Sequence, residues 1–406
     1  MSNPSNESLT SAPMSHGRIL LLGALTFVLM VPETLPVPVL RGLVVERFDV
    51  SVSLATLFMV ANMIGALIVT PLIGLHVDRT GRRRRLCLWA LFADAVLMQA
   101  LTHATAYPTF LVLRLLEGAA HIGALTLVMS LVADRAGKRK GRALGAVGAG
   151  LTLGVATGAV IGGLLGKDQP VMTLHWASML LAVAAVLAIW LLPADIATRN
   201  EHSYRELLGA VRRQPGLRAP LLLALIDRFT VGFFTTGFPL LLADLHNADH
   251  PTIGKLLGAF LFPFALLSYP FGRAAERWSR LRMVAIGSLV YGLAVVTVGF
   301  APTEALWFIM PICGIASAVM FIPTLLWLLD RAQGIGRSTA IAAFHTAGSL
   351  GFLLGPLCCG ELIAIGSATG NDADGYMLAF AFAGSVEIVG ATVLLTIVLR
   401  RRAQVR

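Results

Sequence analysis

Charge is what this sequence has least of. Only 13% of its 406 residues are Asp, Glu, Lys or Arg, whereas a water-soluble domain carries about a quarter. So little polar surface cannot keep a chain of this length in water, which excludes an ordinary soluble globular protein. Cysteine is scarce as well. Cys87, Cys313, Cys358 and Cys359 all fall in apolar stretches. No pair has metal-ligand spacing, and the adjacent Cys358 and Cys359 are poor disulfide partners, so all four read as small core residues. The opening residues, MSNPSNESLTSAPMS, contain no lysine or arginine. They lack the basic start and cleavage site of a signal peptide and read as a disordered tail, with the first apolar segment retained. No phosphate-cradling glycine–lysine loop occurs, so ATP drive is not expected. There is also no nucleophile–base or metal constellation. The chain is therefore not expected to be an enzyme, and neither a cofactor nor a metal is expected.

What is present is oil-soluble. Hydrophobic residues make up 56% of the chain. They gather into twelve runs, about 17–44, 52–75, 86–107, 108–133, 141–166, 171–193, 219–245, 251–272, 282–301, 303–329, 337–366 and 375–399. Each is long enough to cross a hydrocarbon layer of about 30 Å as a helix. The formal net charge of +10 is confined to alternate connections. Arginines and lysines crowd segments 79–85, 135–142, 199–218, 273–282, 331–337 and 400–406, while the opposite connections hold only Arg41, Arg47, Lys167 and Lys255. This asymmetry predicts that the basic connections and both termini are cytoplasmic. It reports topology and contact with anionic lipid, and no nucleic-acid partner is expected.

The chain repeats itself. GLHVDRTGRRRR from Gly74 aligns with GRAAERWSRLR from Gly272, DRAGKRKGR from Asp134 with DRAQGIGR from Asp330, and GVATGAVIGG from Gly154 with GFLLGPLCCG from Gly351. The three pairs keep their order at a nearly constant displacement. The polar stretch 194–218 separates six spans from six, a plan in which substrate binds near the midplane between parallel repeats.

These motifs resemble those of the major facilitator superfamily, and the resemblance covers essentially the whole chain. Gly74, Asp78, Arg79, Gly81, Arg82 and Arg83 match the family's loop motif between the second and third helices. The resemblance implies a charged latch on the cytoplasmic side. Asp78 is expected to suit the start of the following helix, and the arginines to clamp neighbouring helix C-termini; Arg84 and Arg85 are read as plain membrane anchors. Gly154, Gly158, Gly162 and Gly163 in the fifth span match the glycine motif of the drug:proton antiporter branch, although Ala159 replaces its proline. Small residues four apart also make a smooth helix face for close packing, with or without antiport. RLLEGAAH is similar to the fourth-helix motif of the same exporters, with Arg114 and Gly118 matching and Glu117 in a glutamine's place. PETLPVPVLRGL loosely resembles their first-helix motif, with Glu33 at its acidic position. The sugar-porter motif after the sixth helix is absent.

Ionised groups within a membrane cost at least ~2.5–3.5 kcal/mol each on insertion scales and usually mark function. Here they are Glu33, Asp94, Arg114, Glu117, Asp227, Arg228, Glu361 and Glu387, joined by His121 and His345. Arg114, Glu117 and His121 stack on one helix face and are expected to face a central cavity. Proton coupling is assigned to Glu33, Glu117, Arg114, Asp94 and Asp227, the last of which falls near Glu33 in the repeat. Asp227 and Arg228 point to different sides of their helix, so their mutual pairing is expected to be weak. Glu361, Glu387 and His345 are given structural places. Through the resemblance, the substrate cavity is assigned Glu33, His121, Phe233, Phe234 and Trp327, although core packing is an equal reading for each aromatic. Pro32, Pro36 and Pro38 are expected to distort the first span.

The expected fold is therefore an all-α integral membrane protein of twelve helices in two pseudo-symmetric six-helix bundles. Its parts are a disordered cytoplasmic tail 1–16, bundles 17–193 and 219–399, a linker 194–218 and a basic tail 400–406. The expected function is export of a small amphipathic or cationic organic molecule in exchange for protons, by alternating access, from a monomer in a bacterial cytoplasmic membrane. The alternatives are an importer or a lipid-like-molecule exporter of the same fold, or a transport-dead assembly factor.

Overall fold

The computed structural model describes residues 15–80, 82–135, 140–194, 209, 214–332, 337–368 and 370–404. Most of the tail 1–16 and of the linker 194–218, together with Gly81, lies outside the described residues. Among the described residues there is no strand, and twelve helical segments are long and apolar enough to cross a membrane. They are α1 (His16–Val39), α2 (Val52–Thr70), α3 (Arg83–His103), α4 (Tyr107–Val132), α5 (Gly145–Leu165), α6 (Met172–Leu191), α7 (Pro215–Leu245), α8 (His250–Ala274), α9 (Arg280–Val298), α10 (Thr303–Arg331), α11 (Ala343–Ser367) and α12 (Asp372–Val393). Their outward faces carry exposed Trp89, Trp190, Tyr269 and Phe308. Such side chains suit a lipid surface and its interfaces.

Local chemistry sets several helix ends. The Ser15 hydroxyl accepts the Arg18 N–H at the start of α1, and Ser51 does the same for Leu54 at α2. Asp249 caps α8 by accepting the Thr252 N–H at 3.0 Å, and this bond holds its carboxyl below its usual range. The regular part of α1 stops at Thr34. A 3-10 turn over Val37–Val39 and a π-helical stretch Arg41–Glu46 follow, because Pro36 and Pro38 have no N–H with which to continue the ladder. Glu33 thus sits in the last turn before a break.

Glycines set how closely the helices approach. A Cβ on Gly150, Gly154, Gly158 or Gly162 of α5 would strike the carbonyl oxygen of Gly23, Phe27, Val31 or Leu35 of α1 respectively. The fifth-helix motif therefore works as a packing face. On α11, Gly351 and Gly355 meet Leu225 and Phe229 of α7 in the same way, the repeat expressed in contacts. Gly163 is turned differently, and its missing side chain admits His250 of α8 from the other half.

The two halves, α1–α6 and α7–α12, meet at the arginine-poor end. Arg41 pairs with Asp244 at 2.6 Å, which also accepts a hydrogen bond from Tyr376. His250 Nδ1 lies 3.1 Å from the carbonyl of Gly166, and Gly360 of α11 packs on Ser53 and Thr56 at the start of α2.

At the opposite end the loop motif needs one correction. Asp78 does not begin a helix: the helix Leu57–Thr80 runs through it, and the next starts at Arg83. The surroundings of Gly74 and the side chains of Asp78 and Arg79 lie outside what the structure describes. Arg83 is buried. Arg84, read as an anchor, is a clamp: its guanidinium donates to the Ile189 carbonyl in the last turn of α6 at 2.5 Å. In the second half Arg280, the repeat partner of Arg82, donates to the Leu326 carbonyl at 3.1 Å and pairs with Asp330.

Candidate functional site

Four helices of the first half bring their polar side chains to one place. Arg114, Glu117 and His121 of α4 and Asp94 of α3 are all fully buried, and Glu33 of α1 is nearly so. Arg114 Nη1 donates to Glu117 Oε2 at 2.5 Å. Asn62 of α2 donates to the same oxygen at 3.2 Å. The Arg114 guanidinium lies over the Phe58 ring, 4.4 Å from its centroid, so an aromatic face and a carboxylate share its charge. His121 Nδ1 is 2.8 Å from Asp94 Oδ2. A carboxylate can only accept, so this nitrogen carries the hydrogen and Nε2 is directed at Glu33 Oε2, 3.6 Å away. The stripe expected on α4 is present, but its three side chains are 0% exposed and packed among helices of the first half rather than lining an open cavity; Asp94 and Glu33 join it through the two nitrogens of one imidazole.

Backbone packing makes this possible. A Cβ on Gly118 would lie 2.4 Å from the Asn62 carbonyl oxygen, and one on Gly65 would lie 1.9 Å from that of Leu115. Only glycine at both positions lets α2 come close enough to α4 for Asn62 to reach Glu117. The glycine of RLLEGAAH is therefore part of the site. Asn62 itself was not singled out from the sequence; an amide alone in an apolar span was the available signal.

The cluster is not self-satisfied. Glu33 Oε2, Asp94 Oδ1, Glu117 Oε1, His121 Nε2 and two Arg114 nitrogens are buried without a hydrogen-bond partner. With a neutral imidazole, three carboxylates face one guanidinium. The excess of negative charge calls for protons or a cation from elsewhere.

The second half holds a smaller polar pocket. Asp227 of α7 and Glu387 of α12 are buried beside Ser288, Met320 and Thr324. Thr230 Oγ1 donates to Glu387 at 3.5 Å. Glu387, given a structural place from sequence, thus shares a cavity with Asp227. Asp227 and Arg228 touch at 3.6 Å only, the weak pairing expected of adjacent helical residues. Arg228 rests mainly on aromatic faces, with its guanidinium 4.3 Å from the Phe321 centroid and 5.6 Å from that of Phe352.

Other expectations are revised. Phe233 and Phe234 do not line a cavity. They are 0% and 1% exposed, packed edge-on and tilted among Phe229, Phe238, Phe260 and Phe380. A helix as enclosed as α7 presents aromatics to its neighbours on nearly all sides. Trp327 is likewise held in a packed group with Leu223, Val284 and Ala391. His345 is exposed, with its ring edge-on to Phe344, and is not a buried packing residue. Glu361 is likewise exposed.

Twelve spans in two like halves, with ionisable groups buried inside each half, define a membrane transporter of the two-repeat type. The sequence profile of the Major Facilitator Superfamily matches residues 22–238 and 220–406, and the chain belongs to that family. Among curated relatives it is 28% identical over 193 residues to the Magnetosome protein MamH of Paramagnetospirillum magneticum, covering 43% of this chain and 45% of that one. It is 25% identical over 163 residues to Multidrug resistance protein 2 of Bacillus subtilis, covering 40% and 38%. Each match thus spans less than half of the relative's length. Solved structures share the fold across nearly the whole chain. The nucleoside transporter NupG aligns with a TM-score of 0.75 at 13% identity, covering 93% of this chain and 98% of that one. The human organic anion transporter MFSD10 aligns at 0.70 and 18%, covering 93% and 99%.

Proposed function

We propose that this transporter exports a small amphipathic or cationic organic molecule in exchange for protons, with Glu33 and Glu117 as the exchanging carboxyls. The observation that carries this reading is the buried cluster itself, in which three acids face a single guanidinium and several polar atoms have no partner. A proton or a cationic group relieves the same excess charge, so the two compete, which is the condition for exchange. Asp94 orients His121, and Arg114 and Asn62 hold Glu117. Asp227, with Glu387 beside it, is a second candidate site for protons. The match to a multidrug resistance protein supports the reading. It is tested in proteoliposomes with an imposed pH gradient and a fluorescent lipophilic cation such as ethidium. Uptake into acid-loaded vesicles is expected; accumulation that follows the proton gradient instead would make the protein an importer.

The arginine distribution supports a bacterial cytoplasmic membrane with both termini inside. With that topology, the contacts of Arg41, His250 and Gly360 join the two halves at the outer face. In a cysteine-free variant, a cysteine introduced at Asp168 should be labelled by an impermeant maleimide from outside and one at Arg205 only from inside. The reverse pattern would invert the assignment.

The loop motif acts in this scheme as the inner latch, in line with the Arg280–Asp330 pair of the second half. Asp78→Asn is expected to lengthen the distance between spin labels on the inner ends of the two halves and to leave the melting temperature within a few degrees. An unchanged distance distribution would reduce the motif to a membrane anchor.

A further inference from the structure

The first-half cluster has the donor set of a transition-metal site. The ligand atoms of Glu33, Glu117 and His121 all lie within 4.8 Å of one another. From this geometry we infer that the site binds one divalent first-row transition-metal ion, of the Zn2+, Co2+ or Mn2+ class, through His121 Nε2 and one carboxylate oxygen each of Glu33 and Glu117. The sequence pointed to no metal: Glu117 and His121 lie one turn apart on α4, but the third ligand, Glu33, comes from α1, far away in the chain.

Each donor is suitably prepared. His121 is fully buried, and its Nε2 has no hydrogen-bond partner. Its other nitrogen is tied to Asp94 at 2.8 Å, the carboxylate–imidazole arrangement that fixes the tautomer and orientation of metal-bound histidines. Glu117 is fully buried; its Oε2 is engaged by Arg114 and Asn62, but Oε1 is unpartnered. Glu33 Oε2 is also unpartnered. Tetrahedral bonds of about 2.1 Å place ligand atoms about 3.4 Å apart. The 3.6 Å between His121 Nε2 and Glu33 Oε2 already approaches this, and the pairs with Glu117 lie within 4.8 Å, so closing the set needs side-chain movements of about 1 Å.

Charge and access agree with the geometry. Three carboxylates and one guanidinium leave two negative charges when the imidazole is neutral, and one divalent ion balances them. One nitrogen and two oxygen donors favour first-row transition metals over Mg2+ and Ca2+, which take oxygen alone. The Glu33 side chain is 12% exposed, so the site has an opening on that side. Three protein ligands leave a fourth position for water or for a chelating group on a transported molecule.

The inference concerns binding and stands without the proton-exchange reading, although both use the same carboxylates. The test is calorimetric titration of the full-length purified protein, free of any histidine tag, with Zn2+. The visible absorption spectrum of bound Co2+ serves as a second readout. One equivalent of Zn2+ is expected to bind, with a tetrahedral Co2+ spectrum. His121→Gln and Glu33→Gln should each weaken binding by more than ~100-fold, and Asp94→Asn by about 10–100-fold. Zn2+ should raise the melting temperature of the wild type and leave that of Glu33→Gln unchanged. Because Glu33 lies at the opening, its variant carries the test if His121→Gln does not fold. Absence of saturable binding to the wild type, or one equivalent bound equally well by the variants, overturns the site. Vesicle transport separates the two readings: metal binding without gradient-driven efflux leaves this site standing and removes the exchange, whereas efflux without metal binding does the opposite.

Discussion

Glu117→Gln is expected to reduce proton-driven movement of a lipophilic cation in vesicles to the level of protein-free controls, while equilibration of the same cation down its own gradient persists. Glu117 is fully buried, with Arg114 and Asn62 both donating to one of its oxygens. Glutamine has almost the same shape, and its carbonyl can still accept from Arg114, so the packing of α4 against α2 survives. What is lost is, among the described residues, the only negative charge in hydrogen-bond contact with that guanidinium, and with it a group that can exchange a proton. Deleting one partner of a buried ion pair costs about 3–5 kcal/mol in general; the amide recovers part of this, so a lowered but cooperative melting transition is expected. Glu117→Asp keeps the charge on a shorter arm and should retain measurable coupling. If Glu117→Gln, Glu33→Gln and the double variant all transport at the wild-type rate under a pH gradient, neither acid is the carrier. The Arg114–Glu117 pair would then be structural, and Asp227 with Glu387 would be the next site to test.

Gly158→Ala and Gly162→Ala should give the largest losses of stability for the smallest change in mass. A Cβ at Gly158 would lie 2.2 Å from the Val31 carbonyl oxygen and 2.4 Å from the Thr34 hydroxyl; at Gly162 it would lie 2.1 Å from the Leu35 carbonyl oxygen. The atoms struck are backbone on a helix already broken by prolines, so α1 and α5 must separate. Separation would also strain the Thr34 hydrogen bond to the Val155 carbonyl, now 2.6 Å, and displace Glu33. A destabilisation of about 3 kcal/mol is expected, the upper end of what overpacking usually costs, because the atoms struck are backbone. Gly148→Ala on the same helix is the control. Its added Cβ meets nothing within 4 Å, and alanine's better helix propensity should leave stability level or raise it by up to about 1 kcal/mol. Detergent-solubilised melting curves for the three variants decide the matter. Equal melting temperatures would mean that the glycine motif does not serve packing.

The spans, the repeat and the family were determined by the sequence alone, because each is a one-dimensional property. Membrane thickness sets the length of an apolar run, and the duplicated motifs keep their order and displacement whatever the chain does in space. The stripe of Arg114, Glu117 and His121 was also legible, since helical periodicity alone puts those residues on one face. What joins that stripe was decided by tertiary structure. Asp94 and Glu33 reach the two nitrogens of His121 only because α3 and α1 pack beside α4, and Asn62 reaches Glu117 only because Gly65 and Gly118 let two backbones nearly touch. The same close packing moved Phe233, Phe234 and Trp327 from the expected cavity wall into the core, and brought Glu387 beside Asp227. Burial and partnership arise between helices, where spacing along the chain says nothing about which faces meet.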